Sequence, residues 1–367
     1  MFQIIQRYVV PGLVIQAVLV GGGYATGREL VEFFVSMGPA AALIGMGLTA
    51  VLFSASAMIA FELARRFRAY DYNSFMGILL GRLCILFEIG YLASLVLVLA
   101  VVSAAAGELM LELAGWPLWL SAVLFMAIVA ALVFFGNSFV ERLISAWSIL
   151  FYATYLLLFV LVVMRFGDDL SAAIAATPVE PKATLWNGIS YMAYNIPLLP
   201  VLIFVARNFA SRREAFIAGA LAGPLILLPG FAFLMTLSSF YPEIVDSTLP
   251  VQFVLDRLGH PAIALMIQFV IIGALVKTGV GLLHGFNERL ARAAADRSKP
   301  LPAVVRPLVA LVIMVVAIFA ATAVGLVDLI GQGYRYSAAY FLAVLVVPLF
   351  TVGLWRLKAG HKTQRGA

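Results

Sequence analysis

Gly21-Gly22-Gly23-Tyr24-Ala25-Thr26-Gly27-Arg28-Glu29 interrupts the first long apolar run of the chain, which extends from Tyr8 to Phe34. A second apolar run, Leu185 to Val205, is interrupted by Asn195-Ile196-Pro197-Leu198-Leu199-Pro200. In hydrocarbon, no water is available to satisfy freed backbone groups. A membrane-crossing helix is therefore broken only where the break is enclosed by protein or lines a cavity. Two breaks at corresponding places in two halves of a chain mark the solute site of a secondary transporter.

The rest of the chain supports a membrane reading of these breaks. Its 367 residues are 64% hydrophobic and 11% charged, with a mean hydropathy of +1.07. Soluble domains are roughly half apolar and about a quarter charged. Apolar blocks of roughly 20 residues, the length that crosses a bilayer core, recur throughout. The sequence predicts ten spans, near 8–35, 40–63, 82–110, 117–135, 142–164, 185–206, 215–239, 251–285, 304–325 and 335–355. The first is read as a retained span, because its broken centre and acidic residues do not fit a cleaved signal.

The cations fall to one side. With ten spans, eighteen Lys and Arg lie on the side of the two termini and four on the other, while Arg28 and Lys277 lie inside spans. Such a bias over short loops predicts cytoplasmic termini in a bacterial-type inner (plasma) membrane. It also accounts for the net charge of +6 without invoking nucleic acid. Five spans precede 166–184 and five follow it. An odd number of spans inverts whatever comes next, so the expected division is a first repeat 1–165, an external connecting loop 166–184, a second repeat 185–357 and a cytoplasmic tail 358–367. The fold class expected is an all-α membrane bundle of ten helices in two inverted five-helix repeats, with helices one and six broken.

This arrangement resembles the LeuT fold of the amino acid–polyamine–organocation superfamily, in which unwound spans one and six hold the solute. The stretch Gly21–Glu29, followed by Phe33-Phe34, resembles more particularly the YkvI-like membrane proteins. The resemblance implies a transporter, and it covers nearly the whole chain.

Each break has its own chemistry. Glycine tolerates non-helical backbone, so Gly21, Gly22, Gly23 and Gly27 can free N–H groups. The positive end of a half-helix starting near Thr26 can receive an anion such as a carboxylate. Pro197 and Pro200 release carbonyls one turn earlier. With Asn195, those carbonyls can accept an ammonium. One break would thus supply donors and the other acceptors, which suits an amino acid. The competing reading of the glycines is close helix packing, and of the prolines a simple kink; four glycines in seven residues beside a Thr and charged residues exceed a packing motif's needs. Tyr24, Tyr191 and Tyr194 are candidates to cover a solute, or are packed rings with bonded hydroxyls. Ser103 is a further candidate on span three.

Charges inside spans are costly and point to function. Arg28, Glu29 and Glu32 are expected to form an outer gate, with partners such as Asp246 or Asp328. Lys277 and Thr278 fall near the part of span eight where, by the resemblance, two hydroxyl residues bind sodium against span one. An ammonium there can replace the ion, making Lys277 a substitute for sodium and transport proton-coupled. The other reading keeps a sodium site at Thr278 and the carbonyls around Gly21. Glu88 on span three is a candidate partner of Lys277 or a proton relay.

No phosphate-binding Gly-Lys-Ser/Thr motif occurs, which argues against ATP as the direct energy source. His260, His284 and His361 are dispersed without metal-ligand spacing, and no cofactor beyond a coupling Na+ or H+ is expected. Cys84 is the single cysteine. No nucleophile–base constellation points to an enzyme. The expected function is secondary transport of a small amino acid or related organic solute. A solute-sensing receptor with the same fold, or an ion channel, are the alternatives.

Overall fold

The computed structural model describes residues 2–135, 137–296 and 305–363 of the chain. Of the cations counted above, Arg297, Lys299 and Arg365 lie outside the described residues, as do the side chains of Arg142, Arg292, Arg306 and Lys362. The expected tail 358–367 is described only to Thr363.

In the described residues all regular structure is helical. In chain order the helices are α1 (Phe2–Tyr8), α2 (Val10–Leu19), α3 (Gly22–Ala25), α4 (Arg28–Phe33), α5 (Pro39–Phe67) and α6 (Tyr72–Leu80). They continue with α7 (Cys84–Ala114), α8 (Leu118–Phe135), α9 (Asn137–Ala176), α10 (Pro181–Asn195), α11 (Leu198–Val201) and α12 (Arg212–Ser238). The last are α13 (Pro250–Leu258), α14 (Pro261–Asp296), α15 (Val305–Val324), α16 (Leu326–Asp328), α17 (Tyr334–Phe341) and α18 (Leu354–Thr363). Among the described residues, seven helical stretches are long and apolar enough to cross a membrane, and Val10–Leu19 and Leu118–Val133 are shorter apolar helices. Large apolar side chains such as Met164, Leu265 and Phe319 point outward. That is the surface of a bundle whose solvent is lipid.

Without a hydrophobic force between helices in lipid, small residues and side-chain hydrogen bonds hold them together. The contact between α5 and α12 shows this. A Cβ on Gly223 would lie 1.9 Å from the carbonyl oxygen of Ala50, and one on Gly219 would lie 2.6 Å from the backbone of Met58. Ser54 donates to the Ala220 carbonyl at 2.7 Å across the same seam. The Gly219-x-x-x-Gly223 spacing is the sequence mark of that approach.

Contacts between the two halves come in matching pairs. Helix α2 packs on α12 as α10 packs on α5, and α7 packs on α15 as α14 packs on α8.

Several boundaries differ from the sequence reading. The region 166–184 is mostly helix: after non-helical backbone at Phe166, α9 runs on to Ala176 and α10 begins at Pro181. The Ala-rich stretch before Ala176 has high helix propensity, and Pro at the first helical position starts the next element. Span eight begins at Pro261, because Gly259 caps α13 in the left-handed region at φ 67°. The last membrane helix starts near Leu326 and passes through π-helical turns at Leu329–Gly333, Leu342–Val346 and Leu349–Gly353.

Candidate functional site

The first break is built from the backbone up. Helix α2 ends at Leu19, Gly21 is extended, the one-turn α3 follows, and Gly27 at φ 81° turns the chain into α4. That φ favours glycine. Gly22 is needed for another reason: a Cβ there would lie 2.7 Å from Leu275 and 2.9 Å from Val102, so α3 is wedged between α14 and α7. Thr26 bridges the break, donating to the Gly23 carbonyl at 2.9 Å and accepting from the Arg28 amide at 3.4 Å. Tyr155 donates to the Ala25 carbonyl, and the Val251 amide donates to the Thr26 carbonyl at 3.1 Å.

The second break separates α10 from α11 at Ile196-Pro197. The Asn195 amide donates to the Tyr191 carbonyl at 3.1 Å, within its own helix. Gly21–Gly23 and Asn195, Pro197 and Leu198 line one common cavity of about 130 Å³. A water needs roughly 10–15 Å³ on the same measure, so the space suits a small organic solute better than a bare ion.

Of the predicted solute residues, Gly21, Gly22, Gly23, Tyr24, Tyr194, Asn195 and Pro197 line this cavity. Thr26, Gly27, Ser103 and Tyr191 do not. Thr26 is occupied in the backbone, and Ser103 is fully buried with its hydroxyl unbonded among the described residues. Tyr191 lies behind the wall, edge-on to Tyr194 at 5.4 Å. The cavity also takes Tyr91 and Ser94 from α7 and Tyr334 and Ser337 from α17, which the sequence reading misses. Their signal is a hydroxyl or phenol in an apolar span.

The expected donors at the first break are partly taken. Thr278 accepts from the Gly22 amide at 2.8 Å while donating to the Ala274 carbonyl at 2.9 Å. The Gly21 amide donates to the Leu19 carbonyl at 2.8 Å. Lys277, one residue earlier, places its ammonium 3.4 Å from the Ala17 carbonyl on α2.

The suggested Glu88–Lys277 pair is not formed. Glu88 pairs with Arg289 at 2.8 Å, and the Arg289 guanidinium lies 3.9 Å from the Tyr91 ring centroid. Arg289 and Lys277 share α14, where twelve residues separate them by roughly 18 Å at about 1.5 Å per residue. A carboxylate that meets one cannot reach the other.

The gate residues divide. Arg28 pairs with Glu32 at 2.9 Å and donates to the carbonyls of Val245 and Ser247 at 2.8 and 3.0 Å. It therefore holds the backbone on either side of Asp246, not that carboxylate, and Asp328 instead accepts from Gln332 at 3.2 Å. Glu32 also meets Arg335 at 3.2 Å, which donates to the Asn187 side-chain oxygen Oδ1 at 3.0 Å. These bonds tie α4, the 245–247 segment, α17 and α10 together. Glu29 takes no part: its carboxylate lines the cavity and accepts from the Tyr194 hydroxyl.

Comparison with known proteins follows the same lines. No protein-family model matches the chain. It is similar to the membrane protein YkvI of Bacillus subtilis, 26% identical over 302 residues that cover 77% of this chain and 80% of that one. Among solved structures it is similar to MhsT in complex with L-phenylalanine, with a TM-score of 0.59, 15% identity, and 93% and 87% of the two chains covered. It is also similar to a mutant of the manganese transporter of Eremococcus coleocola, with a TM-score of 0.56, 16% identity, and 94% and 78% covered. The chain is a multi-pass membrane protein with the LeuT fold, similar to YkvI.

Proposed function

We propose that this chain is a secondary active transporter that moves a small amino acid or related organic solute by alternating access. One observation carries the reading: two helices that stop midway face each other across one solute-sized cavity. The Arg28–Glu32–Arg335–Asn187 network adjoins the lining residues Glu29 and Tyr334 in sequence, which supports reading it as a gate. The paired contacts between the halves support two five-span repeats, 1–165 and 185–357, joined through 166–184. The charge bias supports cytoplasmic termini in a bacterial-type inner membrane. MhsT was solved with an amino acid bound and the other neighbour is a manganese transporter; that no three His, Cys, Asp or Glu cluster among the described residues favours the organic solute.

The coupling reading rests on Lys277. Its ammonium lies against the Ala17 carbonyl on α2, and Thr278 is engaged with Gly22 and Ala274, so both residues that the resemblance puts at a sodium site are already bonded. Transport is then independent of sodium and driven by protons.

Uptake into proteoliposomes tests the whole reading. A pH gradient should drive accumulation of a leucine- or phenylalanine-like solute without sodium. Solute binding with no flux would favour a receptor, and single-channel currents would favour a channel.

A further inference from the structure

Arg28 and Glu29 are adjacent on α4, where successive side chains leave the helix about 100° apart, so they reach different places. Arg28 faces the gate. Glu29 turns into the cavity and is 5% exposed. Tyr194 donates to one of its oxygens. The other oxygen and the Tyr334 hydroxyl each lie 3.4 Å from where a Cβ on Gly23 would sit. Any larger residue at Gly23 would fill the point on which both converge.

A buried carboxylate is costly without a counter-ion. Among the described residues, no Lys, Arg or His side chain lies within ion-pair distance of Glu29. Among the described lining residues, Glu29 carries the one formal charge. Arg28 is committed to Glu32 and two carbonyls, and Lys277 reaches α2 instead.

The wall around the carboxylate is aromatic. Tyr194 stacks on Tyr334 at 4.6 Å and on Phe33 at 5.4 Å. Farther along, Leu19, Leu95, Val98 and Leu282 make the lining apolar. A carboxylate among phenol faces suits an organic ammonium, held by charge and by the ring quadrupoles. A metal ion wants several oxygen, nitrogen or sulfur ligands, and no three His, Cys, Asp or Glu cluster among the described residues.

From this geometry we infer that Glu29 is the solute's anchor: it binds the ammonium group of a small amine or amino acid whose apolar part fills the rest of the cavity. The inference rests on the transport reading and names the charge its solute must carry.

The test compares solutes differing only in charge, on the purified full-length protein in detergent. One set is L-leucine, 3-methylbutylamine (leucine without its carboxylate) and 4-methylpentanoate (leucine without its amine). The second is L-phenylalanine, phenethylamine and 3-phenylpropanoate, with MnCl2 as the metal probe. Ligand-dependent thermal shifts give the affinities. The amine-bearing members of at least one set should raise the melting temperature, and the deaminated acids should not. Glu29→Gln should weaken that binding by roughly 30-fold or more, the scale of losing one partner of a desolvated charge pair, while Asp169→Asn, at an exposed carboxylate outside the cavity lining, keeps it.

The inference is overturned if the deaminated acid binds as well as the amine, if no amine binds at about 10 mM, a concentration at which even millimolar binders shift stability, or if only manganese binds. Unchanged affinity in Glu29→Gln also overturns it. Should that variant fail to fold, the amine-against-acid comparison on the unaltered protein still decides. The two readings fail separately. Uptake of 4-methylpentanoate in proteoliposomes would sink the anchor and leave transport standing. Amine binding without uptake would do the reverse.

Discussion

The hydroxyl of Thr278 accepts the amide proton of Gly22 at 2.8 Å, joining the last third of the chain to the first broken helix. The same hydroxyl donates to Ala274, so it is used in both directions. The bond satisfies one amide that the break at Gly21 leaves without a helical partner. It also places Lys277, the preceding residue, beside α2.

Thr278→Val keeps the shape and removes the acceptor. The Gly22 amide would then be buried and unpaired, which costs about 1–3 kcal/mol. A lower melting temperature in detergent is expected, together with slower uptake, and Thr278→Ser should restore most of both. Wild-type behaviour of the valine variant would show that the tie carries no weight.

The proposed proton coupling rests on Lys277. Lys277→Met keeps much of the length and removes the charge beside the Ala17 carbonyl. Uptake driven by a pH gradient should fall at least ~10-fold, the scale for losing a functional intramembrane charge worth more than 1.4 kcal/mol, while solute exchange across the membrane is spared. Lys277→Ala should behave alike. Undiminished pH-driven uptake in both variants would remove Lys277 from the mechanism.

The close approach of α5 and α12 gives a stability prediction free of any functional assumption. In Gly223→Ala the new methyl group would collide with the Ala50 carbonyl. The obstacle is backbone, so the cost should lie toward the upper end of the usual 1–3 kcal/mol for overpacking. At Gly281, by contrast, an added Cβ would meet no atom within 4 Å. Gly281→Ala should be neutral, or stabilising by up to about 1 kcal/mol, because alanine favours helix. Melting of the two variants side by side in one detergent checks the contrast.

The helical class and the two interruptions are legible in the sequence, because glycine runs and prolines inside apolar segments have few other uses. Which way side chains leave the breaks is not. Arg28 and Glu29 read as one charged patch until their places on α4, about 100° apart around the helix, separate them. Tyr334 stays hidden because the sequence reading starts span ten at Arg335, one residue later; Ser337 lies within that span, but periodicity does not show which way it faces. That helix begins earlier and contains π-helical turns, which alter the facing of its residues. Span adjacency alone puts Glu88 near Lys277. Arg289, farther along α14, satisfies it instead. Ser103 fits the composition of a site but sits in packed interior. Periodicity locates a helix, whereas the lining of a cavity depends on how several helices are rotated against one another.

Arg335 tests the proposed gate. It is 38% exposed and joins Glu32 to Asn187, so Arg335→Gln should loosen the network without emptying the core. A partly exposed ion pair is worth about 0.2–1 kcal/mol, so the closed population should shift by roughly 1.5- to 5-fold. The measurement is maleimide modification of Ser337→Cys, a lining position, in a Cys84→Ser background. A membrane-impermeant reagent added from the Arg335 side should react faster once Arg335 is glutamine, and saturating solute should slow it. If the rate is unchanged, and Arg28→Gln leaves it unchanged too, these arginines do not hold the gate.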